Sequence, residues 1–180
     1  MLTGICQGFE LLSMLAANDK NDLLRVLEYD NVLRPVFWEW PTMDEVKKNS
    51  RLFAEFEPSL LLAMAEQEIA FHYHTFGVSV SDYEAIPSFN SFFKVIASDH
   101  TIEGQHFLTG LEAYDHPIYA LMFHPEYQML DFLTREHWNT IKNKETLDII
   151  AHLGRFFYNE VVRIRKLNED AGGDEATLVK

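Results

Sequence analysis

Apolar and polar positions change period several times along this 180-residue chain, and each change predicts an element. Residues 1–5 form a short apolar run that reads as the end of a buried strand. In 8–17, Phe9, Leu12, Leu15 and Ala16 recur at helical spacing, and the polar stretch 18–21 breaks the pattern. Residues 23–35 mix short apolar runs with Asn and Asp and read as strand and loop. The aromatic, Pro-bounded 37–41 reads as loop or short strand. Leu60, Leu61 and Met64 suggest a short helix or turn over 58–65. Alternation over 68–74 predicts a strand, and 82–89 a turn region around Pro87. Residues 91–98 and 105–111 predict two strands of a hairpin or meander. Residues 116–123 are almost continuously apolar, as in a buried strand. Leu147, Ile150, Leu153, Phe157, Val161, Ile164 and Leu167 follow at three- and four-residue intervals, an amphipathic helix of about six turns. The polar, Gly-containing stretch 168–180 is expected to be disordered. No repeat or low-complexity tract interrupts the rest, so 1–167 reads as one domain.

Composition narrows the function classes. Charged residues are 24% and apolar residues 47%, with 14 Phe, 7 Tyr and 3 Trp, which describes a chain with a real core. The net charge is −13, and protonating all eight histidines in an acidic compartment would bring it only to −5. Nucleic acids and anionic membranes are therefore not expected partners. An acidic substrate would need a local basic patch. With one cysteine there is no intrachain disulfide and no zinc-thiolate cluster. No apolar run reaches the roughly 18 residues of a transmembrane helix, and no basic, then apolar leader precedes the first strand.

That one cysteine sits in Gly4-Ile5-Cys6-Gln7-Gly8. A strand that turns sharply through Gly-x-Cys-x-Gly into a helix has the layout of a nucleophile elbow, where crowding asks for small neighbours. Cys6 would then stand at a helix N-terminus, whose dipole and free N–H groups favour an anion. The backbone N–H of Gln7 would face a developing oxyanion. The bland reading is a buried structural thiol beside two turn glycines. A second signal, His124-Pro125-Glu126, closes the apolar run 116–123, at the strand end where open α/β sheets place their ligands. In extended backbone residues i and i+2 share a side, so Glu126 could hold the His124 ring while His124 deprotonates Cys6. An ordinary strand-end turn would look the same. His72 and His74 could be metal ligands, but no third ligand follows at a convincing spacing, and two strand-edge histidines in water fit equally. His100, His106, His116, His137 and His152 form no constellation.

These motifs in this order resemble the gamma-glutamyl hydrolases of the class I glutamine amidotransferase superfamily. Residues 4–13 resemble the family's nucleophile region. Ser50-Arg51-Leu52-Phe53, the segment around His74-Thr75-Phe76-Gly77-Val78-Ser79, and the run from Tyr114 through Pro117 and Tyr119 to His124-Pro125-Glu126 resemble further family segments. Glu10 fits too, since general glutamine amidotransferases usually carry Gln there. The resemblance implies an α/β fold with the superfamily's flavodoxin-like sheet. It implies hydrolysis of the γ-glutamyl bonds of folate or antifolate polyglutamates, with Cys6 as nucleophile, His124 as base, Glu126 as third triad member and His74 against substrate. It implies no cofactor and no metal, and a vacuolar, lysosomal or extracellular setting; a homodimer is compatible with it. Family members carry on the order of a hundred residues before the nucleophile, including strands of the sheet and a glycine-rich loop that gives a second oxyanion N–H. This sequence shows neither. The strand feeding the elbow is therefore expected to lack neighbours on one side. Loss of one oxyanion donor costs on the order of 10²–10³ in rate. Two other readings stay open: a glutaminase of the amidotransferase type, and an inactive, N-terminally truncated remnant.

Overall fold

The computed structural model describes residues 1–20, 22–128 and 143–170. Two strands from opposite ends of the sequence, β1 (Leu2–Ile5) and β7 (Ile118–Leu121), lie side by side and parallel, Leu2 opposite Ile118 and Ile5 opposite Leu121. Helix α1 (Gln7–Ala16) follows β1 after a single residue. A long strand β2 (Leu24–Arg34), a two-residue β3 (Phe37–Trp38), α2 (Met43–Asn49), α3 (Pro58–Glu66) and β4 (Ala70–Val78) come next. They are followed by α4 (Val80–Ala85), α5 (Pro87–Phe92), β5 (Phe93–His100) and β6 (His106–Ala113). After β7 come a 3-10 turn (Pro125–Gln128) and, past 129–142, α6 (Lys144–Asp170).

Strand order in the main sheet is β1-β7-β6-β5-β3, and β2 pairs with β4 in a separate antiparallel ribbon. The sheet is mixed: β1 and β7 are parallel, while β7, β6, β5 and β3 alternate. Among the described residues β1 pairs only with β7, so it is an edge strand, and Leu2 is half exposed. That is the one-sided position expected for it.

Alternation along β7 distributes the core. Tyr119, Leu121 and Phe123 face a layer with residues of α2, α3 and α6. Ala120 and Met122 face a layer with Phe9 and Leu12 of α1 and Phe89 of α5. A strand covered on both faces has to be apolar at every position, which is why 116–123 reads as a continuous run. The result is an α/β fold with helices on both faces of the sheet. Among the described residues no helix is long and apolar enough to cross a membrane.

Three expectations change. The region 82–89 is not a turn: α4 and α5 occupy it, with Ser79 capping Asp82 N–H and Pro87 at the first turn of α5. Helix α2 went unpredicted although Thr42 caps it, its hydroxyl accepting from Glu45 N–H and donating to the Glu45 carboxylate. Helix α6 exists, but its buried face is Thr146, Ile149, Leu153 and Glu160, and Leu147, Val161 and Leu167 stay half exposed. Two polar residues decide this. Thr146 is used in a reciprocal cap with Asn143, and Glu160 accepts from the Tyr119 hydroxyl at 3.0 Å. Residues 168–170 continue the helix, and the rest of the expected disordered tail, 171–180, lies outside the described residues, as does His137.

Candidate active site

Cys6 joins β1 to α1 with φ 52° and ψ −107°, a left-handed region that a non-glycine residue rarely enters. The turn is closed tightly: Cys6 N–H donates to Leu121 O of β7 at 2.9 Å, and Glu10 N–H donates to Cys6 O at 3.1 Å. Gly4 is required here, because a Cβ on it would stand 2.5 Å from Gly8 O and 2.7 Å from Leu12 Cδ1. Gly8 itself has open space where a side chain would go, so only one of the two elbow glycines is sterically needed. Gln7 opens α1, and the N–H groups of a first helical turn have no acceptor within the helix, leaving the Gln7 amide beside the thiol.

The register of β1 against β7 brings the second half of the site into place. With Ile5 opposite Leu121, Cys6 and His124 leave the same end of adjacent strands. His124 Nδ1 is 2.7 Å from Glu126 Oε1. The expected contact forms, but not through extended backbone: residues 125–128 are a 3-10 turn, and it is the turn that folds the carboxylate back onto the ring. Burial disfavours charge on His124, yet the Cys6 and Glu126 side chains on either side override it and raise its pKa to about 9. A ring with that affinity keeps the proton it takes from the thiol, as an imidazolium between sulfur and carboxylate. Glu126 Oε2 is buried and has no hydrogen-bond partner among the described residues, so it is Oε1 that engages the ring.

Strand β4 supplies the wall of the site, which sequence reasoning missed. Its Phe71 O accepts from His124 N–H at 2.7 Å, and its Tyr73 O lies 3.7 Å from Cys6 Sγ along the thiol's donor direction. The Cys6 side chain also meets the His124 ring in a hydrogen bond, so the sulfur lies between that carbonyl and the imidazole. Tyr127 was missed as well; its ring lies parallel to His124 at 4.2 Å between centroids. Main-chain contacts and a tyrosine outside any motif carry no sequence signal. Cys6 as a residue is only 8% exposed.

His72 and His74 are not at a strand edge in water. They are 1% and 6% exposed, covered by Tyr29 of β2 and by Phe107. His74 Nδ1 faces Phe76 O at 2.8 Å, and His74 Nε2 faces His72 Nδ1 at 3.0 Å. A carbonyl only accepts, so His74 donates from Nδ1 and its Nε2 accepts from His72 Nδ1–H. Both rings are thereby neutral, and burial lowers both pKa values, that of His74 to about 4 and that of His72 further. Two ring nitrogens bonded to each other cannot chelate one ion, and among the described residues no group of three or more His, Cys, Asp or Glu is placed to hold a metal.

The signs of these shifts predict a stability maximum. His72 and His74 take protons near pH 6.5 only when unfolded, so their contribution is complete above that pH and is lost as pH falls toward 4. For His74 alone this amounts to about 3 kcal/mol. His124 acts oppositely: its contribution is complete below 6.5 and is lost as pH rises through about 9. Urea midpoints measured from pH 4.5 to 9.5 should peak between these limits, and His74→Gln should flatten the acid side. An acid side equally steep in that variant would remove the histidine pair as its cause.

No family model matches the chain. It is similar to curated gamma-glutamyl hydrolases. Gamma-glutamyl hydrolase B of Dictyostelium discoideum is 26% identical over 179 residues, covering 99% of this chain and 48% of that protein. Gamma-glutamyl hydrolase of Homo sapiens is 27% identical over 178 residues, covering 98% and 52%. Gamma-glutamyl hydrolase 1 of Arabidopsis thaliana is 28% identical over 123 residues, covering 68% and 34%. The chain thus spans a third to a half of the length of these relatives. Among solved structures, it is similar to a putative GMP synthase protein from Thermoplasma acidophilum, with TM-score 0.51 and 17% identity, over 93% of this chain and 60% of that one. The likeness to that structure is one of fold.

Proposed function

We propose that the chain hydrolyses γ-glutamyl bonds through a Cys6-His124-Glu126 triad, with the poly-γ-glutamyl tails of folates or antifolates as its substrate class. The observation that carries this is the pairing of a strained cysteine at the head of α1 with a His–carboxylate pair at the end of the neighbouring parallel strand. The curated relatives named above support the bond class. Cys6 gives its thiol proton to His124, and the thiolate so formed attacks the γ-amide carbonyl. The Gln7 N–H takes the oxyanion. Collapse expels the amine, which receives the proton from His124 and leaves a γ-glutamyl thioester on Cys6. Water, deprotonated by the same ring, releases the glutamyl product and restores the thiol. Glu126 keeps the Nδ1–H tautomer and stabilises the imidazolium. His74 has both nitrogens engaged inside the protein, so what it offers a substrate is the ring's edge and shape. Each step uses side chains and water, so the scheme calls on no cofactor. A vacuolar, lysosomal or extracellular site of action is proposed on the resemblance alone.

The test is incubation of the folded protein with a pteroyl-γ-glutamate oligomer, following chain shortening by mass spectrometry beside an α-linked oligomer and free glutamine. Shortening of the γ-linked chain alone supports the reading. Ammonia release from glutamine without peptide cleavage would favour a glutaminase, and no turnover by folded protein would end the hydrolase reading for this chain.

A further inference from the structure

A base must keep its ring plane as well as its proton. Contacts with Glu126 at Nδ1 and with the Cys6 side chain fix two points of the His124 imidazole and leave the ring free to turn about the line between them. The geometry closes this freedom from an unexpected side. Tyr127, next after Glu126, lies against the imidazole with the two ring planes 4° apart and the centroids 4.2 Å apart. Tyr127 is backed by Phe71 of β4, centroids 5.6 Å apart, and Phe71 O also holds the His124 N–H. Strand β4 thus grips the base twice, directly at its backbone and through Tyr127 at its ring.

We infer that Tyr127 is a positioning residue for His124: its aromatic face sets the plane in which the imidazole meets Cys6 and favours the imidazolium that forms when the thiol gives up its proton. The negative face of a phenol ring attracts a cation lying over it, and the attraction grows where water is excluded, as here. A neutral imidazole gains less. The contact therefore discriminates between the two protonation states, and a mere cover would not. Among the described residues, the titratable groups facing the ring are Cys6 at the head of α1, Glu126 on its own turn, and His72 and His74 on β4, both neutral. A change at Tyr127 leaves all of them in the chain. The inference rests on reading Cys6 and His124 as a nucleophile–base pair.

The experiment compares wild type, Tyr127→Leu and Tyr127→Phe, with His124→Gln as control. Two readouts need no substrate: the NMR titration of His124, and the rate of Cys6 alkylation by iodoacetamide against pH. Leucine keeps bulk and loses the π face, so the His124 titration should fall by about one unit and alkylation near neutral pH by about tenfold. Phenylalanine keeps the face and should restore both. With γ-glutamyl substrate, Tyr127→Leu should lower kcat while KM holds. If the leucine variant fails to fold, Tyr127→Met is read in its place. An unshifted titration and an unchanged alkylation rate in Tyr127→Leu would overturn the inference, and so would equal damage from phenylalanine. The underlying pair fails differently: His124→Gln would then leave Cys6 alkylation as in wild type.

Discussion

Cys6→Ala is expected to fold and to lose γ-glutamyl hydrolysis by a factor on the order of 10⁴–10⁶, the range seen when a member of a hydrolase triad is removed. The remaining parts explain why nothing replaces it. His124 and Glu126 form a proton acceptor without a nucleophile, and among the described residues no other thiol exists to be activated. A second substitution separates function from structure. At φ 52°, ψ −107° the residue sits where a side chain is strained by roughly 1–3 kcal/mol, and glycine is free of that strain. Cys6→Gly should therefore be as inactive as Cys6→Ala and more stable by about 1 kcal/mol, after the extra chain entropy that glycine loses on folding. Folate polyglutamate cleavage and urea midpoints for the two variants measure both effects. Activity of Cys6→Ala within tenfold of wild type would remove Cys6 from the mechanism. A Cys6→Gly variant no more stable than Cys6→Ala would show that the elbow stores no strain.

The parts of this site that were legible in the sequence are local. Gly4 and Cys6 announce an elbow because the clash of a Cβ with Gly8 O is settled within one turn. His124 and Glu126 announce a pair because they stand two positions apart, although the turn that joins them is not the extended backbone expected. The strand 116–123 shows itself by being apolar on both faces. What stayed illegible depends on elements far apart in sequence. The parallel register that sets Cys6 beside His124 lies between opposite ends of the chain. The burial of His72 and His74 comes from Tyr29 of β2, paired beside β4, and from Phe107 of β6, which a two-histidine pattern cannot show. Hydrophobic spacing rotated the buried face of α6 because it counts Thr146 and Glu160 as polar and cannot see the partners that make them buryable.

Glu112 makes the same point at the largest energetic scale, and its replacement by alanine is expected to cost about 3–5 kcal/mol, the penalty for breaking a buried ion pair from one side. Its side chain is fully buried on β6. It accepts from Arg51 Nε at 2.8 Å, Ser50 Oγ at 2.9 Å, Arg51 N at 3.1 Å and Leu52 N at 3.3 Å, and Lys94 Nζ stands at 3.2 Å. One carboxylate thus ties the segment between α2 and α3 to β5 and β6. Arg51 in turn bonds Ala113 O and His116 O and lies over the Tyr119 ring at 5.5 Å. Alanine would leave two cations and two backbone N–H groups facing an empty, dry space. Total stabilities are typically about 5–15 kcal/mol, so a loss of this size should move the urea midpoint far with an unchanged slope. Arg51→Ala should cost less, because Arg51 is partly exposed and Lys94 remains to meet the charge. Glu112→Gln separates charge from shape, keeping an acceptor for Ser50 while withdrawing the anion, and should fall between the two. The register places Glu112 opposite Tyr119, toward the far end of β7 from His124. In folded Glu112→Gln, Cys6 should therefore alkylate at the wild-type rate. A small loss in Glu112→Ala would mean that water reaches the cations through Arg51, and a slowed Cys6 would mean that the two ends of β7 are coupled.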